Sequence, residues 1–206
     1  MKPLLWALGA LGALGAAWAA PAAPGAVLAN EHVAVYQETL AAGQKEALPG
    51  EGPSVTVFLN DGRCRLGGEL RAVKRGEVLY RDAVDGPLTA AATGALSFVR
   101  VELKGGPSPE TWGHAGLPPN YRIVAETPYV RAYDVRIAAG AHEPLHTHHD
   151  RVVICLSGAQ LRHELPDGRT QVSSMQTGQV AWRKGQTHVG HNIGATDFWA
   201  ICIEPK

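Results

Sequence analysis

This sequence has no excess of charge of either sign: its 206 residues carry 19 Lys plus Arg against 19 Asp plus Glu. Nucleic-acid partners need a clustered basic excess, so that class is set aside. No phosphate-binding glycine loop, dinucleotide fingerprint or recognisable nucleophile–base–acid spacing occurs, which argues against a kinase, a dehydrogenase or a hydrolase. Beyond the first 24 residues no stretch has the period of a long amphipathic helix. Cysteine is scarce. Cys64, Cys155 and Cys202 lie in apolar runs, and read either as one disulfide plus a free thiol or as three small buried hydrophobes.

Turn formers, in contrast, are plentiful, with 24 glycines and 14 prolines. They favour short strands joined by tight turns. A hydrophobic fraction of 45% is ordinary for a chain that buries a core. The beginning differs in kind. Lys2 precedes an uncharged apolar run from Leu4 to Trp18, followed by Ala17-Trp18-Ala19 and prolines 21 and 24. This is the layout of a secretory signal peptide over residues 1–20, cleaved after small residues. The run is short for a membrane span and no basic stop-transfer cluster follows it. The expectation is an exported protein, periplasmic or secreted, with no stable membrane span after cleavage.

The remainder repeats itself. Laid over Val130–Leu156 without a gap, Val33–Leu59 is identical at nine of 27 positions, among them Tyr36/Tyr133, Gly43/Gly140 and Glu46/Glu143. Chance gives roughly two at ordinary residue usage. A second block sets Gly76–Arg81 over Gly178–Arg183. Tandem duplication follows. Gly105-Gly106-Pro107-Ser108-Pro109 and Pro118-Pro119 form a stiff connector between the copies. The expected units are residues 27–104, a connector at 105–120, and residues 121–206.

Within each copy the pattern is that of β-structure. Val152–Leu156 is a short β-branched run, and Leu161, His163 and Leu165 alternate with Arg162 and Glu164 before a Pro166-Asp167-Gly168 turn. Antiparallel units of this size remove their open edges by closing into barrels or jelly rolls. The fold class is therefore all-β, in two tandem barrels.

The second copy holds the chemistry. His146 and His148 are two apart, so on a strand they face the same way. His188, 40 residues further on, supplies a third imidazole from a neighbouring strand and completes a three-nitrogen face for one divalent metal ion. Gly140, five residues and His146-x-His148, then Gly178, Gly185, His188 and Asn192, resemble the two motifs of the cupin superfamily. Arg183 stands where the second motif usually has proline. The resemblance covers nearly the whole chain after the leader, as a double cupin (bicupin) with a degenerate first barrel: Pro49 and Glu51 stand where His146 and His148 do, and no histidine occurs between His32 and His114. One departure matters. The glutamate that completes the ligand set in many cupins is absent. By spacing its place falls on Val152, which shares strand parity with the two histidines; a one-residue deletion moves it to Arg151. The resemblance thus implies a three-histidine site, as in cupin-type dioxygenases that use Fe(II), or a site for Mn, Zn, Ni or Cu. Asp150 is a candidate acceptor behind a ligand histidine. His163 is a candidate extra ligand, proton carrier or plain core residue. Asn192 is a candidate pocket group.

The run His146-Thr147-His148-His149-Asp150-Arg151-Val152-Val153 with the Pro-Asp-Gly turn also looks like small cupins linked to β-alanine degradation. Three readings follow: a metalloenzyme acting on a small organic acid or carbonyl compound, with Arg162 or Arg151 available to a substrate carboxylate; a non-catalytic binder of a small ligand; and a storage protein with a vestigial pocket. Sheet edges in cupins often pair across chains, which leaves a homodimer open.

Overall fold

The computed structural model describes residues 25–48, 52–66, 68–82, 88–119 and 121–206. The leader expected at 1–20, and the positions Pro49 and Glu51, lie outside the described residues.

The chain is all β. The first half runs β1 (Leu28–Ala29), β2 (Val33–Leu40), β3 (Lys45–Leu48), β4 (Ser54–Phe58), β5 (Gly62–Leu66), β6 (Glu69–Val73), β7 (Val78–Arg81), β8 (Leu88–Ala92) and β9 (Leu96–Leu103). The second runs β10 (Arg122–Glu126), β11 (Val130–Ile137), β12 (His146–His148), β13 (Arg151–Ser157), β14 (Ala159–Glu164), β15 (Thr170–Met175), β16 (Val180–Arg183), β17 (Gln186–Asn192) and β18 (Phe198–Pro205). Each half folds into a five-stranded and a four-stranded sheet. The orders are β1-β2-β9-β4-β7 with β3-β8-β5-β6, and β10-β11-β18-β13-β16 with β12-β17-β14-β15. Strand for strand the orders of the two halves correspond.

Why the central strands read as continuous apolar runs is explained by their packing. Val33, Val55, Val99 and Val101 of the first five-stranded sheet share one core cluster with Val130, Val152, Ile154, Ile201 and Ile203 of the second. The two sheets therefore face each other. The alternate residues of the same strands point the other way: Tyr133, Val153, Cys155 and Cys202 fill the interior of the second half, and Phe58, Leu96 and Phe98 that of the first. A strand buried on both faces has no polar face to alternate. Each fully buried valine or isoleucine contributes about 1.5–3 kcal/mol, so the shared cluster ties the halves firmly.

The inside of the first half holds a buried charge. Arg100 is buried, lies 3.3 Å from Glu38, pairs also with Glu102, and stacks over the Tyr36 ring. In the second half the facing position on β18 is Cys202. The connector does not hang free. Trp112 stacks on His149 with ring centres 4.0 Å apart, Leu117 enters the second core, and Thr147 N donates to Gly116 O at 2.7 Å. It thus braces the strand that carries His146 and His148. All three cysteines are buried and free, which settles for small hydrophobes over a disulfide. No helix among the described residues is long and apolar enough to cross a membrane.

Candidate metal centre

Strand β12 pairs antiparallel with β17, and the register sets His146 directly opposite His188. Directly opposed residues share a face of the sheet, and His148, two residues on, shares it too. All three point inward and are buried, at 5%, 5% and 2% exposure. Their ring centres lie 4.7 Å (His146–His148), 4.5 Å (His146–His188) and 5.3 Å (His148–His188) apart. One nitrogen from each falls within a single group spanning no more than 4.8 Å.

Neighbouring groups decide which nitrogen faces the centre. His146 Nδ1 lies 2.7 Å from Pro144 O, a carbonyl that only accepts. Nδ1 therefore carries the proton, and Nε2 keeps a lone pair. His148 Nδ1 lies 2.7 Å from Tyr133 Oη, and that hydroxyl donates its own proton to Glu204 Oε1 at 2.9 Å. Burial holds the phenol in its neutral form. Tyr133 must accept from His148 Nδ1–H, which leaves Nε2 of His148 bare as well. The two Nε2 atoms are 2.9 Å apart: two lone pairs aimed at one another among buried side chains. Ligands about 90° apart on a metal with bonds of about 2.1 Å sit about 3.0 Å from each other. A divalent cation relieves this repulsion, and a buried Nδ1 of His188 without any hydrogen-bond partner points to the same need. The donor set fits a metal ion.

Burial, the largest cause in each case, also keeps these imidazoles unprotonated. His148 is pushed down to about 3, His188 to about 2, and His146 below its usual range. Behind the site, Glu204 is fully buried and receives Arg131 Nε at 2.7 Å and His149 N at 3.1 Å. Burial alone raises its carboxyl, but its hydrogen bonds and the Arg131 charge outweigh that and hold it below the usual range. The line His148–Tyr133–Glu204–Arg131 is the support that orients a ligand imidazole.

A carboxylate missed in the sequence stands beside the histidines. Glu143, in the loop before β12, lies with Oε2 4.0 Å from His146 Nε2. Its Oε2 accepts from Tyr121 Oη at 2.9 Å, and its Oε1 is buried with no hydrogen-bond partner. Burial pushes its carboxyl up to about 7. Gly190 makes the room: a Cβ there would meet Glu143 Oε2 at 2.8 Å.

The other sequence candidates divide. His163 faces inward on β14, its ring centre 4.3 Å from His188, and burial pushes it down to about 4. Val152 is corrected: it packs in the cluster between the two five-stranded sheets, away from the histidines. Strand parity fails because the chain leaves the four-stranded sheet after His148 and enters the five-stranded one at Arg151. Arg151, the alternative, faces the pocket. Asp150 does not back a ligand histidine; it accepts from Lys184 Nζ at 2.8 Å and Gly185 N at 2.6 Å, pinning the β16–β17 turn. Asn192 is likewise a structural tie, donating to Ile137 O and Thr196 O. Arg162 points outward and pairs with Glu164 at 3.1 Å. A cavity of about 400 Å³ opens onto His148 and His188, lined also by Glu143, Arg151, His163, Arg183 and apolar side chains of β11, β14 and β18.

No family model matches this chain, and no curated protein matches it. Solved structures do. A cupin 2 conserved barrel domain protein from Leptotrichia buccalis superposes with a TM-score of 0.58 at 13% identity, over 88% of this chain and 87% of that one. AerE from Microcystis aeruginosa gives 0.59 at 12% identity, over 88% and 96%. The oxalate decarboxylase of Bacillus subtilis, described with Mn(II) centres, gives 0.59 at 14% identity, over 84% and 69%. At such identities the likeness is one of fold: the chain has the cupin fold, and its second half carries a three-histidine group able to hold a metal ion.

Proposed function

We propose that the protein is an exported bicupin whose C-terminal barrel binds one divalent metal ion through His146, His148 and His188, and that it acts at that ion on a small organic acid or carbonyl compound, as a dioxygenase or a related enzyme. The observation that carries the reading is the pair of bare Nε2 atoms 2.9 Å apart, each held in its tautomer by a neighbour on its other nitrogen. A cation held by three neutral imidazoles keeps its double charge and open positions for polarising a carbonyl or carboxylate. The residues supply the rest. Pro144 O and Tyr133 fix the ligand rings. Leu161, Val135 and Phe198 give the cavity apolar walls. Glu143, with one unengaged oxygen, is placed to take or hold a proton of a bound molecule. The manganese named for the B. subtilis neighbour supports a metal in such a barrel; the identity of the ion here, whether Fe, Mn, Zn, Ni or Cu, is for experiment. The first barrel serves as packing support in this reading, since its described residues offer no histidine inside.

The test is metal content followed by turnover. Protein recovered from the exported fraction should carry about one divalent ion per chain, and His188→Ala should lose it. Consumption of oxo acids, hydroxy acids or diketones, with and without oxygen, then separates an enzyme from a binder. Metal-free protein that equals wild type in every assay would refute the reading.

A further inference from the structure

Inside the pocket lies a cation with no ion-pair partner among the described residues. Arg151 is 7% exposed and lines the cavity. Its Nη1 makes only long hydrogen bonds, to His149 O at 3.3 Å and Lys184 O at 3.4 Å, and its Nε has no partner at all. No carboxylate among the described residues forms an ion pair with it. The thiol beside it, Cys202, is pushed up to about 12 by burial and stays neutral.

A second arginine stands against it. Strand β13 pairs antiparallel with β16, and the register sets Arg151 directly opposite Arg183. Arg183 lines the same cavity and has no ion-pair partner among the described residues either. Like charges directly opposed across two strands destabilise a sheet, and a buried guanidinium without a counter-charge is itself destabilising. Lys184 next door is already engaged by Asp150. The one carboxylate on the cavity wall among the described residues, Glu143, stands beside His146 and forms no ion pair with either arginine. Two forks of N–H donors in one cavity match the two oxygens of a carboxylate.

We propose that Arg151 and Arg183 form a carboxylate clamp, and that the ligand of the pocket is a small organic acid whose carboxylate sits between the two guanidinium groups while its apolar body lies on Val135, Ile137, Leu161, Met175 and Phe198. The volume of about 400 Å³ is at the low end for small-molecule sites, so the acid is small. This inference rests on the pocket described above. It needs the metal only for the far end of the ligand, so the two readings fail separately.

The probes are butyrate, 2-oxobutyrate and the uncharged isostere butyramide, titrated by calorimetry against the full chain after export, both metal-loaded and stripped with chelator. Metal-free wild type should bind butyrate and 2-oxobutyrate, and butyramide at least tenfold more weakly. Arg151→Met and Arg183→Met should each weaken butyrate at least tenfold, and Arg151→Lys, which keeps the charge but not the fork, severalfold. Ligand-free Arg151→Met should melt no lower than wild type, because the variant removes an unpaired buried charge. If Arg151→Met fails to fold, Arg151→Lys and Arg183→Met carry the test. Equal affinity for butyrate and butyramide, or a change under twofold in these variants, overturns the clamp. If His188→Ala loses the metal and still binds butyrate through Arg151, the clamp stands independently; a protein that never held metal but shows this same dependence overturns only the metal site.

Discussion

Replacing Tyr133 by phenylalanine removes one oxygen from the middle of the line that orients His148. The hydroxyl does two things at once: it accepts from His148 Nδ1 at 2.7 Å and donates to Glu204 Oε1 at 2.9 Å. Without it, Glu204 keeps Arg131 and the His149 amide, so the carboxylate stays bound. His148 fares worse. Its next acceptor, Glu204 Oε1, is 3.8 Å from Nδ1, beyond hydrogen-bond range. A buried donor left unpaired costs about 1–3 kcal/mol. The imidazole then tilts toward Glu204 or loses its fixed tautomer. Loss of such a support lowers metal affinity about 10–100-fold, which is about 1.4–2.8 kcal/mol. Competition of wild type and Tyr133→Phe against a chromophoric chelator measures this directly, with urea melts of both metal-free proteins as the control. A fall in stability with the metal affinity unchanged within twofold would show that Tyr133 only packs, and that the tautomer argument is wrong.

Other outcomes follow from the same structure. In metal-free protein, His148, His163 and His188 titrate far below the usual histidine range when folded. The unfolded chain therefore binds more protons below about pH 6.5, and stability should fall as pH drops from there toward 4, His148 alone contributing at most about 1.4 kcal/mol per pH unit. Glu143, raised to about 7, acts in the opposite sense between about pH 4.5 and 7; urea melts at pH 7.5 and 5.5 should still show net loss, and a gain on acidification contradicts the burial of the histidines. Gly76 sits at φ +77° and a Cβ there would meet Trp199 at 2.5 Å, so Gly76→Ala should destabilise the contact between the halves by more than about 1 kcal/mol, read from the thermal midpoint. Glu204→Ala breaks the buried pair with Arg131, at a cost of about 3–5 kcal/mol. All three cysteines should resist alkylation in native protein and react fully in urea, which mass spectrometry counts.

The fold was legible in the sequence because the internal repeat doubles the signal. Identical residues such as Tyr36/Tyr133 and Val55/Val152 occupy matching places in matching sheets, and the strand runs fell where expected. The histidine trio was legible too, since a two-residue spacing survives translation into a strand. What failed was parity across a turn. Val152 was counted onto the histidine face as though the strand continued, but the chain crosses to the other sheet at Asp150, and the count restarts at Arg151. Glu143 escaped because it lies in a loop, where no periodicity predicts direction; its identity with Glu46 in the other copy was the available clue. Asn192 and Asp150 carried the right polarity for a pocket, yet Asp150 bonds Lys184 and the Gly185 amide, and Asn192 bonds the backbone at Ile137 and Thr196. Arg162 followed its own alternation with Leu161 and His163, and faces outward as that alternation implies. The opposition of Arg151 and Arg183 depends on strand register, which no single-sequence pattern displays.

Anomalous diffraction from crystals of the native protein, collected on both sides of the absorption edge of whichever metal elemental analysis finds, tests the central claim most directly. One strong peak is expected, within about 2.0–2.3 Å of the inward nitrogens of His146, His148 and His188. A map empty at that point in metal-replete protein, or a peak held by other side chains, would contradict the account.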